Sequence, residues 1–282
     1  MPTPSPTAVL RTLVVILLIA SPLGAAAQDA RPRILVTNDD GIGSTGIAAI
    51  VNELKTFADV VVVAPSENYS GGSHSSVIRT IRAELKPFYR DGELFGYGVN
   101  ATPADAAKFG ILHLGVERPF DLVVSGINAG ANTGEISHSS GTVGAAMEAL
   151  HHGIPAIATS QGAQQDYARS AAITARIVRM VLEEGLPSRV MLSINIPGGE
   201  LRGIRAARMG GSYFGVGSFE EIATGPDSTS YRSVLRPAIR GGEDTDTAAY
   251  LDGFVTVTPL RYDWTDLEML ERLSGWDLRL DP

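Results

Sequence analysis

Ile34-Leu35-Val36-Thr37-Asn38-Asp39-Asp40-Gly41 is an apolar run that stops on an acidic turn, and its surroundings decide the fold. Downstream, Ile47, Ile50, Val51 and Leu54 recur at helical spacing on one face, and Val60-Val61-Val62-Val63 is a second apolar run. Strand, helix and strand within about 30 residues make a βαβ unit, which requires the two strands to run parallel. The alternation continues along the chain. Residues 103–114 read as a helix with Pro103 in its first turn, 122–124 as a buried strand, 143–150 as a helix and 154–159 as a strand. Ile173, Ile177, Met180 and Val181 mark the buried face of another helix, followed by a strand at 190–196. This pattern predicts a three-layer α/β/α architecture around a mostly parallel sheet.

Two segments depart from the alternation. Residues 198–240 are rich in Gly, Ser and Arg with weak periodicity, too long for a plain loop, and predict an arm, hairpin or lid. Regularity returns with Phe254-Val255-Thr256-Val257-Thr258 as a strand. Thr265-Asp266-Leu267-Glu268 then reads as a capping box opening a last short helix that Gly275 ends. At the other end, residues 1–27 read as a cleaved export signal. Arg11 is their only charge, residues 13–20 are unbroken apolar chain, and Ala25-Ala26-Ala27 supplies small residues for cleavage. Eight apolar residues fall short of the roughly 20 that span a bilayer. The expectation is an exported, periplasmic chain of residues 28–282 with no membrane attachment after cleavage, and a cytoplasmic one if the signal is misassigned.

Composition narrows the function classes. The 282 residues carry a net charge of −8, with 44% hydrophobic and 19% charged residues, the balance of a globular protein and not of a disordered chain or a polytopic membrane protein. The acidic balance argues against a duplex nucleic acid as partner. With no cysteine, disulfides, thiolate metal sites and cysteine nucleophiles are excluded. There is no H-E-x-x-H, G-x-S-x-G or G-x-x-x-x-G-K-[ST].

Asp39 and Asp40 directly follow the first strand, where ligands of open parallel sheets bind. Two adjacent carboxylates repel each other and any phosphate unless a hard divalent cation, Mg²⁺ or Mn²⁺, joins them through oxygen ligands. Gly41-Ile42-Gly43-Ser44-Thr45-Gly46 also matches the dinucleotide fingerprint G-x-G-x-x-G, which keeps an NAD-dependent enzyme as an alternative, although two carboxylates beside a pyrophosphate argue against it. Three polar loops fall at matching strand ends. Residues 64–76 are dense in Ser and Gly, residues 125–134 contribute Asn128 and Asn132, and Ser140-Gly141-Thr142 opens a helix whose free N–H groups favour phosphate oxygens. One acidic and three hydroxyl- or amide-rich loops together suggest a cation-plus-phosphate site. Among the histidines, His151 and His152 read as a helix end, His113 as packed among apolar residues, and His74 and His138, inside the candidate loops, as candidate proton donors.

These motifs resemble the SurE family of stationary-phase survival phosphatases. The resemblance rests on residues 34–41, Val63-Ala64-Pro65, Ser70-Gly71, Thr102-Pro103-Ala104-Asp105, residues 124–134 and Ser140-Gly141-Thr142-Val143, with Glu243-Asp244-Thr245-Asp246 and residues 255–260 extending it. It implies a Rossmann-like core and a divalent-metal-dependent nucleotidase that releases phosphate from nucleoside monophosphates, 5′ and also 3′, and from short polyphosphates. By that likeness Asp39, Asp40, Ser70 and Asn128 hold one divalent cation per subunit, and Asn132, Ser140, Gly141 and Thr142 bind phosphate, with Asp39 and Asp40 catalytic. It also implies an arm within residues 198–240 that pairs with another subunit in a homodimer or homotetramer. Ser139, where the family usually has Tyr, His138, and Asn100-Ala101 before Thr102 depart from the family pattern and bear on substrate preference. The expected reaction is metal-assisted hydrolysis of a phosphate monoester, with water favoured over an aspartate as attacking group. The other class weighed is a periplasmic protein that binds a phosphorylated ligand without turnover.

Overall fold

In the computed structural model, residues 1, 31–163 and 166–280 are described, so the export signal expected at 1–27 lies, Met1 apart, outside the described residues. Among the described residues no helix is long and apolar enough to cross a membrane. The fold described is that of the unit Arg31–Pro282.

Nine strands form one sheet. Its centre is β1 (Arg33–Thr37), flanked on one side by β2 (Asp59–Pro65), then β4 (Glu93–Val99) and β3 (Leu85–Arg90). On the other side stand β5 (Leu122–Ala129), β6 (Ala156–Gln161), β7 (Val190–Ile196), β11 (Val255–Arg261) and β8 (Ile204–Ala206). From β4 through β7 every pairing is parallel, β3 and β11 run antiparallel to their inner neighbours, and the expected mostly parallel α/β architecture is the one observed.

The period of two in β1 splits the core. Ile34 and Val36 face a layer in which α1 (Thr45–Leu54) packs with α4 (Tyr167–Glu184), and Leu35 faces the layer of α2 (Pro103–Phe109) and α3 (Gly141–His151). Ile47, Ile50, Val51 and Leu54, the helical stripe read from the sequence, are all fully buried. In α4 the buried face is centred on Ala171, Thr174, Ala175 and Val178; Met180, expected inside, is exposed.

Strand order reverses at β1. The chain runs from β1 to β2 on one side and returns to β5 on the other, so a crevice opens between the carboxyl ends of β1 and β5. Asp39 and Asp40 follow β1, and Asn128 is the next-to-last residue of β5, which runs five residues past the expected 122–124.

Other departures have local causes. The helix expected over 103–114 is α-helical only to Phe109. It then widens into a π-turn over Gly110–Leu114, with Gly115 N–H bonding Gly110 O. That wider turn leaves His113 exposed, edge-on to Phe109 at 4.9 Å, and not packed as expected. The hairpin β3–β4 turns at Asp91-Gly92, both at positive φ, the pairing that a two-residue hairpin demands. Within 198–240 lie β8 and a separate two-stranded ribbon, β9 (Gly215–Thr224) with β10 (Thr229–Arg236), almost wholly exposed. The last helices are α5 (Asp246–Leu251) and α6 (Leu267–Ser274). Asp266, not Thr265, caps α6 by accepting from Met269 N–H at 2.8 Å, and no residue of α6 is buried.

Candidate functional site

Asn38 makes the acidic turn rigid. Its amide donates to Gly41 O and to Ser44 Oγ, both at 2.9 Å, and Ser44 in turn caps α1. Ile42 N–H bonds Pro65 O at 2.8 Å and Ser44 N–H bonds Gly41 O at 3.1 Å, so these amides of the glycine-rich turn are spent within the protein. These two are unavailable to a pyrophosphate, which weighs against a dinucleotide site. The third glycine, Gly46, has a packing reason instead, since a side chain there would overlap Ile127 O in β5.

Asp39 is 3% exposed. Its Oδ1 accepts the Thr142 hydroxyl at 2.6 Å, and its backbone carbonyl accepts Tyr69 N–H at 2.8 Å. Burial pushes its carboxyl up to about 6, the Thr142 hydrogen bond pulls against that, and the neighbouring Asp40 charge adds to it. Asp40 is likewise raised by burial, opposed by the Ala129 N–H that bonds its Oδ2 at 2.9 Å. Among the described residues neither carboxylate has a Lys or Arg partner. Two adjacent, largely enclosed acids without a compensating cation are costly as anions.

The other expected residues have the following partners. Asn128 donates its amide N–H to Gly130 O at 2.7 Å, a bond that does not use its side-chain carbonyl oxygen. Ser70 is exposed on the loop after β2, and its N–H bonds Asn68 Oδ1 at 2.8 Å, while Asn68 reaches Asp40 Oδ1 at 3.5 Å. Ser140 is the N-cap of α3 and accepts from Val143 N–H at 3.2 Å, so the hydroxyl proton remains to give. Gly141 touches the acid pair directly: a Cβ there would stand 2.8 Å from Asp39 Cβ and 3.1 Å from Pro103 Cγ. Asn132 is buried, with its N–H on Asn195 Oδ1 at 2.6 Å and its amide on Ser160 Oγ at 2.8 Å. Its loop is pinned at Gly134, whose N–H bonds the buried Asp246 at 2.9 Å.

Thr142 spends its hydroxyl on Asp39, so what it and Gly141 offer an anion is the start of a helix. Neither candidate histidine bonds the acid pair. His74 Nε2 is taken by Glu148 at 2.8 Å, and the exposed His138 stands edge-on to Trp264 at 5.6 Å. Sequence reasoning passed over Asn68, Tyr167 and Glu148. Tyr167, at the start of α4, has its phenol raised by burial and then by the Asp40 charge. Glu148 was detectable as a lone acid within the apolar run of α3.

No three His, Asp or Glu side chains converge to hold a metal among the described residues. A cation between β1 and β5 would therefore draw on two carboxylates with neutral hydroxyl and amide oxygens, a donor set that suits a hard divalent ion. The unpartnered acid pair fits such an ion.

Comparison with known proteins identifies the family. The family described as "Survival protein SurE" matches residues 34–215. A Deinococcus radiodurans protein named 5'-nucleotidase SurE is 41% identical over 261 residues, covering 89% of this chain and 94% of that one. A Cronobacter sakazakii protein named 5'/3'-nucleotidase SurE is 38% identical over 248 residues, with 86% and 96% covered. The crystal structure of SurE from Aquifex aeolicus superposes with a TM-score of 0.74 at 35% identity, covering 86% of this chain and 98% of that one.

Proposed function

The chain belongs to the survival protein SurE family, and from that premise we propose that it is a nucleotidase, a phosphoric monoester hydrolase that releases phosphate from nucleoside monophosphates. The observation that carries the reading is the acid pair Asp39–Asp40, enclosed, without a cationic partner, at the strand-order reversal and against the first turn of α3. The reaction is metal-dependent, with one Mg²⁺ or Mn²⁺ per subunit held by Asp39, Asp40, Ser70 and Asn128. When bound, the cation supplies Lewis-acid stabilisation to the phosphoryl group.

The chain's own groups do the rest. Thr142 holds Asp39 in one orientation and Ala129 N–H holds Asp40. The N–H groups opening α3, with the Ser140 hydroxyl and Asn132, stabilise charge developing on the transferring phosphoryl. Water is the attacking group, because each Asp has an oxygen committed to a hydrogen bond and both serve the cation. 5′- and 3′-monophosphates and short polyphosphates are the substrates to screen.

Phosphate release from AMP, 3′-AMP and tripolyphosphate after exhaustive chelation, with and without each divalent ion, tests the reading. Repeated turnover restored by Mg²⁺ or Mn²⁺ is expected. Stoichiometric depletion of free AMP without release overturns it in favour of a binding protein.

Export and assembly belong to the same proposal. Residues 1–27 direct the chain to the periplasm, and N-terminal sequencing of the mature protein is expected to start at Gln28. The β9–β10 ribbon pairs with a second subunit in a homodimer or homotetramer. It exposes Phe219, Ile222, Tyr231 and Leu235, an apolar set that a monomer leaves in water.

A further inference from the structure

The loop that carries Ser70 has no regular structure, and Ser70 is followed by Gly71, at φ +78°, and Gly72. Such a stretch does not fix a side chain by itself. Upstream, Tyr69 N–H is bonded to Asp39 O. Downstream, the chain is laid against α3. Ser73 N–H bonds Ser139 O at 3.1 Å, its hydroxyl bonds His138 O at 2.7 Å, and a side chain at Gly144 would overlap Ser73 O.

The next residue, His74, meets a buried acid. Glu148, 4% exposed, takes His74 Nε2 at 2.8 Å on one oxygen, and His152 Nε2 at 3.1 Å and Lys108 Nζ at 3.4 Å on the other. Lys108 also reaches Asp105 at 3.9 Å. Asp105, fully buried, binds the following stretch of the same loop through Ser76 Oγ at 2.5 Å, Val77 N–H at 2.7 Å and Ile78 N–H at 3.2 Å. Two enclosed carboxylates on α2 and α3, linked through Lys108, thus hold the loop from below. Neither touches the acid pair between β1 and β5.

We propose that Glu148, acting through His74, is a positioning residue that sets where Ser70 stands and so how tightly the site takes its divalent cation. The inference rests on the metal-dependent reading above. Without the His74 anchor Ser70 N–H keeps Asn68 and Ser73 keeps its two bonds, but the glycines between them give the Ser70 side chain more room, and a bound cation would lose one of its neutral oxygens for part of the time. Asp39 and Asp40 are untouched, so the chemistry with the cation in place proceeds. Groups that orient metal ligands typically cost 10- to 100-fold in affinity when removed. An anchor four residues from its ligand belongs at the low end, about 10-fold.

The test uses His74→Ala, which leaves Glu148 with Lys108 and His152 and so keeps the buried charge paired, together with Glu148→Gln. Two quantities are read on chelator-treated protein: the Mn²⁺ concentration that half-restores AMP hydrolysis, and the one that half-shifts the melting temperature without substrate. Expected is a rise of about 10-fold in both midpoints for His74→Ala, with kcat at saturating Mn²⁺ within about twofold of the parent. A purely structural role lowers the melting temperature but leaves both midpoints where they were, and that result for His74→Ala overturns the proposal even if Glu148→Gln fails to fold. A parent protein whose melting ignores Mn²⁺ overturns the metal reading beneath it, and this inference with it.

Discussion

Thr142 gives its hydroxyl proton to Asp39 Oδ1 at 2.6 Å across 103 residues of sequence. The bond ties the acidic turn after β1 to the first turn of α3, so the group proposed to hold a cation and the one proposed to receive a phosphate are set at one distance. Thr142→Val keeps the shape and removes the donor. It is expected to lower kcat/KM for AMP by about 100-fold, the scale of losing one oriented group at a charged centre, and to cost about 1–2 kcal/mol in urea unfolding. Thr142→Ser, which keeps the hydroxyl, should recover most of the activity.

Asp39→Asn is expected to lose phosphate release and the Mn²⁺-induced melting shift together, while the metal-free protein gains stability. The parent carboxyl, pushed up to about 6 by burial, is an anion held at a cost near neutral pH, about 3 kcal/mol at most. A neutral amide escapes that cost. Thermal melts in chelator at pH 8 check the sign, and a destabilised variant contradicts it.

Gly141→Ala tests the close approach of helix and acid. The added methyl meets Asp39 Cβ at 2.8 Å and Pro103 at 3.1 Å, neither of which moves freely. A loss of about 1–3 kcal/mol and a fall of at least tenfold in activity are expected, read by denaturation and by phosphate release at saturating metal.

The Glu148 carboxyl carries a pH dependence of stability. Burial alone would raise it, but the His74 hydrogen bond, the Lys108 charge and the two imidazoles outweigh that and hold it below its ordinary value. A depressed folded pKa gives stability that is present above the unfolded value, near 4.5, and lost as pH falls through the folded one. Glu148→Gln should therefore be less stable than the parent at pH 7, by about 2 kcal/mol since Lys108 and His74 partly reach water. The gap should close below pH 4.5. A gap constant from pH 7 to 3 excludes the charge as its source.

Cutting out residues 215–236 and closing the gap with a short Gly-Ser turn removes the ribbon without touching the nine-stranded sheet. Light scattering is expected to report a monomer, against a dimer or tetramer for the full chain. An unchanged mass places the contact elsewhere.

Much of the fold was legible because the parallel strands are buried on both faces and read as apolar runs, with helical stripes between them. The π-turn after Phe109 was not, since a helix that widens by one residue looks in sequence like one that continues. The β3–β4 hairpin was missed although Asp91-Gly92 announces its turn, because the strands around it alternate poorly. Met180 shows the limit of periodicity: its spacing suits the buried stripe of α4, but the neighbouring helix covers a narrower face built from Ala and Thr.

By itself the sequence determined which local chemistry sits where: two acids after the first strand, hydroxyl and amide loops after later ones, and a helix start that favours anions. These are short-range properties, set by residue type and by the turn each residue occupies. Only the tertiary structure decided which groups meet. The reversal of strand order beside β1 brings Asn128 to the acids, α3 turns Thr142 inward onto Asp39 and away from solvent, and Glu148 lies under the Ser70 loop. Such pairings are made by packing between segments far apart along the chain, where burial removes water as the competing partner and leaves each polar group only the neighbours the fold supplies.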